Sequence, residues 1–474
     1  MKPRRELTLF DLTNIVIGSI VGADIYIAST ITAGLIGPFA LVIWIIAGVL
    51  AGCLALVFAY CSYYIPRAGG PFAYVTAAFD DFFGFLTGWS LWIAEMVALP
   101  VFAIAFVQYL HYLVPLDPYT SAGVKVLFIG LLTLTNIRGV KTAGRINDVL
   151  TIAKLSPLLL LVGAGFLFFI AHPGTLAQNY TPLAPLGLEN FGTALVLIFW
   201  AYVGFEMATL PANEVINPRT TIPRAIILGI SAVTLFYIST NFVVYGVLPW
   251  QQLSTTSAPL VLVGALILGS FGAVLMSLGA LVSVSGSDES GILGTARLSY
   301  AMAIDGLFPR VFARLHSRFS TPWVALVIQG IIATVLSLYS GIRDLISFSV
   351  FNMGFAFFLT CCALIVLQKN REKHLPGQRW LPWVGLVICA YLLYSTSIFD
   401  KVVGTLIILA GIPLYVFFSP KVAISDMKKL FLSEEAIFVR NLQLRERFLA
   451  NFISLLHRMW SNLYRMAHPG NKEK

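Results

Sequence analysis

Gly18-Ser19-Ile20-Val21-Gly22-Ala23-Asp24 lies in the middle of the first long apolar segment of this 474-residue chain, where a membrane helix least tolerates glycines or a charge. Hydrocarbon offers backbone groups no water, so non-helical backbone at that depth survives only where protein buries it or where it lines a cavity. A carboxylate there costs about 3 kcal/mol on insertion scales and marks a functional site by default. A second break, Ala201-Tyr202-Val203-Gly204-Phe205-Glu206, falls in the sixth apolar stretch and also ends on an acid. Interrupted helices at corresponding positions of two halves are the best sequence pointer to a transporter's binding site.

Composition agrees with a membrane setting. Hydrophobic residues make up 58% of the chain and charged residues only 11%, against roughly 25% charged in soluble domains. Stretches near the length needed to span a bilayer, about 17 to 25 residues, run over 10–36, 38–65, 82–115, 124–136, 149–171 and 191–210. Six more follow at 226–248, 260–287, 323–339, 345–367, 380–394 and 402–418, with the fourth, ninth and eleventh short. The expected fold is therefore an all-α polytopic membrane protein of about twelve transmembrane helices. Met1 to Glu6 has the charge of a signal-peptide n-region, but the apolar stretch behind it is too long and further spans follow, so it reads as the start of an uncleaved first span.

With the N-terminus inside, Arg67, Arg138, Arg145, Arg219, Arg224, Arg297, Arg310, Arg314, Arg318, Lys369 and Arg379 fall on the cytoplasmic side, and Lys125, Arg343 and Lys401 outside. That asymmetry is what the positive-inside rule demands, and it puts both termini in the cytoplasm. The net charge of +9 then reflects topology, and no nucleic-acid partner is read from it. All five cysteines sit within apolar spans without metal-ligand spacing and read as small core residues. The six histidines lie at span ends, in loops or in the tail, so neither an intramembrane metal site nor a cofactor is expected.

Beyond Ser419-Pro420 the texture changes. Leu449, Phe452, Ile453, Leu456, Met459, Trp460 and Leu463 recur at spacings of mostly three and four, with Arg445, Arg447, Arg458 and Arg465 among or beside them. This predicts a basic amphipathic helix, either docked on anionic inner-leaflet lipid or on the protein's own cytoplasmic face, or without any regulatory role. The expected organisation is a cytoplasmic N-terminus at 1–6, a core at 7–420 and a cytoplasmic tail at 421–474.

The first-break stretch, continued through Ile25-Tyr26, resembles the first-helix glycine signature of the amino acid/polyamine/organocation transporter family. Four other stretches agree in order: Pro66-Arg67-Ala68-Gly69-Gly70-Pro71; Phe199-x-Ala201-Tyr202-x-Gly204-Phe205-Glu206; Glu214-x-x-Asn217-Pro218-Arg219-x-x-Ile222-Pro223-Arg224-Ala225-Ile226; and Ala296-Arg297-x-x-Tyr300-Ala301-Met302-Ala303-x-Asp305-Gly306-Leu307-x-Pro309. The resemblance implies two inverted five-helix repeats of the LeuT-like type, 7–171 and 190–368, plus two extra helices at 379–420. It also implies a permease of the plasma membrane that carries amino acids or related amines. Substrate would sit between the broken first and sixth helices, against Gly18, Ser19, Gly22, Ala23, Asp24 and Ile25 on one side and Tyr202, Gly204 and Glu206 on the other.

At Asp24 the chain departs from that family, which usually has glycine or serine there, beside backbone that would bind a substrate carboxylate. An anionic side chain at this point either contacts a cation, makes an ion pair within the protein, or packs as a buried protonated acid. Lys154 is the only lysine or arginine placed in the interior of a span. It resembles the fifth-helix lysine that one subset of the family uses in proton coupling, and desolvation suits a lysine to load and release a proton; the alternative is a static ion pair with Asp24 or an eighth-span acid. Ser283 and Ser285 are its candidate hydroxyl neighbours, or else ordinary helix-packing serines.

Glu95 lies midway along the third span, and Asp288 and Glu289 come at the end of the eighth. Asp288 is a candidate in the coupling path, or a vestibule acid paired with Arg297. With Asp24 and Glu206 these make five acids against one lysine, a surplus that protons or a bound cation must offset. Tyr202 is favoured among the aromatic residues for gating or for stacking on a substrate ammonium. The expected activity is thus proton-coupled secondary transport leaning to cationic amino acids or polyamines, with protons and membrane lipid as the other partners. The alternative is an inorganic-cation permease of the same superfamily. No nucleophile–base pair or metal-ligand set stands at depth, so an enzyme is not expected.

Overall fold

The computed structural model describes residues 7–67, 69–139, 143–209, 212, 215–369 and 377–418, with backbone alone for 143–150. The expected N-terminal segment 1–6, the tail at 421–474 and Glu214 lie outside the described residues. Helices account for nearly all of it, and the one β-type contact among the described residues is an isolated bridge between Leu7 and Val215.

The first span is two helices, α1 (Leu9–Ile20) and α2 (Asp24–Ile36). Thr8 starts α1 with a reciprocal cap: its N–H donates to Asp11 Oδ2 at 2.8 Å while its hydroxyl accepts from the Asp11 N–H at 3.4 Å. There follow α3 (Ala40–Tyr64), the short α4 (Pro71–Ala78), α5 (Asp81–Leu113), α6 (Pro118–Arg138) and α7 (Ala143–Ala171). A short α8 (Pro173–Tyr180) leads to α9 (Phe191–Trp200), which stops halfway through the sixth apolar stretch and gives way to a 3-10 turn at Phe205–Thr209. Then come α10 (Pro218–Val247), α11 (Trp250–Leu253), α12 (Pro259–Ile304), α13 (Trp323–Tyr339), α14 (Ile342–Lys369), α15 (Leu381–Ser395) and α16 (Ile398–Phe418). Proline opens α4, α6, α10 and α12 at the first turn, where its missing N–H costs nothing.

All twelve predicted spans have a helical counterpart, and several differ in extent. The fourth is a 21-residue helix with Asp117 accepting from the Tyr119 and Thr120 N–H groups at its start. The seventh begins eight residues early at Pro218, behind Asn217 in the left-handed conformation (φ 50°). The eighth is the instructive one. After a break at Gly269 (φ 64°), α12 continues helically to Ile304, so Asp288 and Glu289 sit in the helix interior and not at its end. From 270 to 304 it is about 50 Å long at 1.5 Å per residue, longer than the bilayer's hydrocarbon core.

The burial pattern separates an inner from an outer set of helices. The most apolar windows of α5, of α14 and of the stretch around α9 are 78%, 67% and 72% buried, whereas those of α6 and α16 are only 17% and 22% buried, leaving apolar side chains for lipid. Contacts tie α1 to α7, α10 and α12, so the first break is surrounded on several sides. The chain leading into α1 is held to the chain after the second break by Ile216 N–H donating to Leu7 O at 2.9 Å.

Candidate functional site

The two breaks lie back to back. α1 ends at Ile20; Val21 turns extended (φ −76°, ψ 102°) with its N–H returned to Ile17 O, and α2 restarts at Asp24. At the second break the chain turns over 201–204, and Gly204 takes φ 123°. A Cβ on Gly204 would lie 2.9 Å from the Ser19 carbonyl carbon and 3.0 Å from Ile20 N. Only glycine serves there, because both the dihedral and the touching backbone exclude a side chain.

Each break is capped by the acid two residues after its glycine. Gly22 N–H donates to Asp24 Oδ1 at 2.8 Å, and Gly204 N–H donates to Glu206 Oε2 at 3.1 Å. The Tyr237 hydroxyl, from α10, donates to Asp24 Oδ2 and lies 3.1 Å from Ile20 O. Asp24 therefore has both oxygens bonded at 3% exposure, and its departure from the family pattern is accommodated by a tyrosine on the seventh span. Glu206 is equally buried, at 2%, but its Oε1 has no hydrogen-bond donor. It lies within reach of Glu95 from α5. Two carboxylates in contact repel unless a proton or a cation lies with them.

Lys154 reaches from α7 into the first break. Its Nζ donates to Gly18 O at 2.5 Å and to Ser287 Oγ at 3.0 Å, and the Ser287 hydroxyl lies 2.8 Å from Val21 O. Among the described residues Lys154 makes no direct contact with Asp24 or an eighth-span acid, although Asp24 lies near enough for the two charges to interact. The hydroxyl beside the lysine is that of Ser287, in place of the expected Ser283 and Ser285. Ser285 donates to Leu281 O within its own helix, and Ser283 lies beside Tyr26. One further helical turn along α12 carries the chain from Ser283 to the level of the break.

Asp288, next to Ser287, is fully buried with neither oxygen hydrogen-bonded. The exposed Arg297 does not reach it, so a vestibule pair of these two is not formed. Tyr202, favoured for gating, is buried with its hydroxyl donating to Trp44 O at 2.9 Å and its ring edge-on to Trp44 and Tyr237. It braces the second break against α3.

Between the breaks, α5 and α12 lies a small cavity of about 60 Å³. Of the predicted residues, Ser19, Asp24, Glu95 and Gly204 line it. Gly18, Gly22, Ala23 and Ile25 shape the break behind the wall, and Glu206 lines an adjoining pocket that shares Glu95 and Met207 with the first. Sequence reasoning missed Phe102, Met207, Ser287, Ser290, Gly291 and Met353 as lining residues. It also missed Tyr237, whose bond to Asp24 spans 213 positions.

Two interrupted membrane helices meeting at a cavity are the build of a secondary transporter. The amino acid permease model matches residues 7–419, and the chain belongs to that family of multi-pass membrane proteins. It is 29% identical over 420 residues to the methylthioribose transporter of Bacillus subtilis (strain 168), covering 82% of this chain and 88% of that protein. It is also similar to the serine/threonine exchanger SteT of the same organism, at 27% identity over 87% of this chain and 96% of that one. The human Asc-type amino acid transporter 1 is 29% identical over 87% of this chain and 82% of its own length.

Proposed function

We propose that the protein is a proton-coupled secondary transporter of amino acids or related amines in the plasma membrane, with both termini cytoplasmic and a preference for positively charged substrates. The carrying observation is the placement of acids. Asp24 and Glu95 line the cavity between the breaks, and Glu206, with one oxygen unsatisfied, stands behind Glu95. Charge at that depth is stabilised by an ammonium.

Support for proton coupling comes from Lys154. A single buried ammonium, held by the carbonyl of Gly18 and the hydroxyl of Ser287, couples the broken helix to α7 and α12. Losing its proton removes the strongest donor to the Gly18 carbonyl, so protonation and the conformation of the first break are linked. The acids and aromatic groups of the cavity then sense the state of the lysine through that break. Relatives named for exchange or transport of amino acids are consistent with the substrate class.

Uptake by the full chain in proteoliposomes tests the reading. An inward proton gradient is expected to drive accumulation of a cationic amino acid or amine, with no requirement for sodium. Robust sodium dependence at fixed pH contradicts the coupling. Uptake of potassium or another inorganic cation without any amine transport contradicts the substrate class.

A further inference from the structure

The start of α2 is the one place in the cavity wall where the backbone of the break offers an anion-binding helix end. Unpaired N–H groups and the helix dipole there favour negative charge, and discontinuous transporter helices use such ends to hold anionic substrate groups. In this chain the position is already filled. Asp24, the first residue of α2, folds its own carboxylate back onto Gly22 N–H at 2.8 Å and is locked there by the Tyr237 hydroxyl. The second break repeats the device, with Glu206 on Gly204 N–H. A substrate carboxylate approaching the first break meets another carboxylate in place of a free donor.

In the adjoining pocket the unsatisfied chemistry is anionic. Glu206 Oε1 is buried without a donor and faces the pocket that it shares with Glu95. The rest of the cavity wall carries apolar Leu99, Phe102, Trp200, Met207 and Met353 together with the hydroxyls of Ser19, Ser287 and Ser290, and no basic side chain. Such a site provides for an ammonium and a carbon chain and offers no positive charge to a carboxylate.

Resting on the reading that this cavity holds the substrate of an amine or amino acid carrier, we propose that the preferred substrates are amines that lack a carboxylate, with Asp24 occupying the position a substrate carboxylate would take. The ammonium sits with Glu95 and Glu206, and the carbon chain packs on Phe102, Trp200 and Met207. Asp24 is a specificity-determining residue that acts by excluding the acid group, a repulsive element of the kind selective sites use.

Matched pairs decide this. Binding and uptake of agmatine against arginine, cadaverine against lysine, and isoamylamine against leucine are measured on the purified full chain and in proteoliposomes. Each amine is expected to bind at least about tenfold more tightly than its parent amino acid, the scale of one like-charge contact in partly aqueous surroundings. Leucine methyl ester, its acid group masked, is expected to follow the amine. Asp24→Gly frees Gly22 N–H and should narrow or reverse the preference. Asp24→Asn keeps the acceptor but removes the repulsion, so it should narrow the preference less. Thermal melting of each variant checks folding, and the wild-type ratios with the ester stand alone if a variant does not fold. Parent amino acids binding as tightly as their amines overturn the exclusion while leaving the site reading intact. The same holds for a folded Asp24→Gly protein with unchanged ratios. Binding of neither member of any pair overturns the site reading and the exclusion with it.

Discussion

At the first break Asp24 has both carboxylate oxygens bonded, one to Gly22 N–H and one to the Tyr237 hydroxyl; at the second, Glu206 has Gly204 N–H on one oxygen and no donor on the other. The first break is further tied by Lys154 and Ser287, which hold the Gly18 and Val21 carbonyls from α7 and α12. The second rests on Tyr202 and its bond to Trp44 O, and on direct contact with the first through Gly204. Same position in the fold and same self-capping acid thus lead to different chemistry. One acid holds its helix end in place, and the other keeps an oxygen without a donor beside a second carboxylate, the position proposed for a substrate cation.

The largest effect is expected where the breaks touch. Gly204→Ala meets both an unfavourable dihedral, about 1–3 kcal/mol, and backbone atoms at 3.0 Å or less, about another 1–3 kcal/mol of overpacking. Uptake should be abolished and the thermal midpoint lowered. Gly22→Ala collides mainly with the edge of Phe102 and with Ser287, which can shift, so its loss should be smaller. If the two variants melt alike, the back-to-back contact is not what holds the second break.

Lys154→Ala removes the donor to Gly18 O and Ser287 at a cost of about 1.5–3 kcal/mol for a charged hydrogen bond. Accumulation driven by a proton gradient should disappear while exchange of substrate across the membrane survives. A gradient response preserved in this variant would place coupling elsewhere, with the acids of the second break as the next candidates.

Tyr237→Phe leaves one Asp24 oxygen without its donor, a cost of about 1–3 kcal/mol that melting in detergent can read. Its predicted signature is also functional: a loosened Asp24 should weaken discrimination against carboxylates without altering the proton response. The smallest change is expected at Asp288. Its oxygens have no partners and it lies outside the cavity wall, so Asp288→Asn should leave uptake unchanged and stability equal or slightly higher. A large loss of uptake would instead bring α12's interior acid into the transport path.

Both breaks were legible in the sequence because glycine and carboxylate are each improbable at membrane depth, and together they mark backbone that leaves the helix. Lys154 was legible for the same reason. The partner hydroxyl was not, since serines at 283, 285 and 287 all fit an apolar helix and only the depth of the break selects Ser287. Tyr237 was hidden among aromatic residues of an ordinary span, its role set by a hydroxyl that reaches across from α10. The apparent end of the eighth span at Ser287 came from the acids that follow it. α12 nevertheless runs on to Ile304, with Asp288 buried in its interior.

The central claim is that positive charge binds at the second break through Glu206 and its neighbour Glu95. Isothermal titration of cadaverine into the wild type and into Glu206→Gln tests it most directly, because glutamine retains an oxygen for Gly204 N–H and removes only the charge. Weakening by roughly 10- to 150-fold, the equivalent of about 1.5–3 kcal/mol for a charged hydrogen bond, is the predicted result. Unchanged affinity, or an equal loss for an uncharged ligand of the same size, would contradict it.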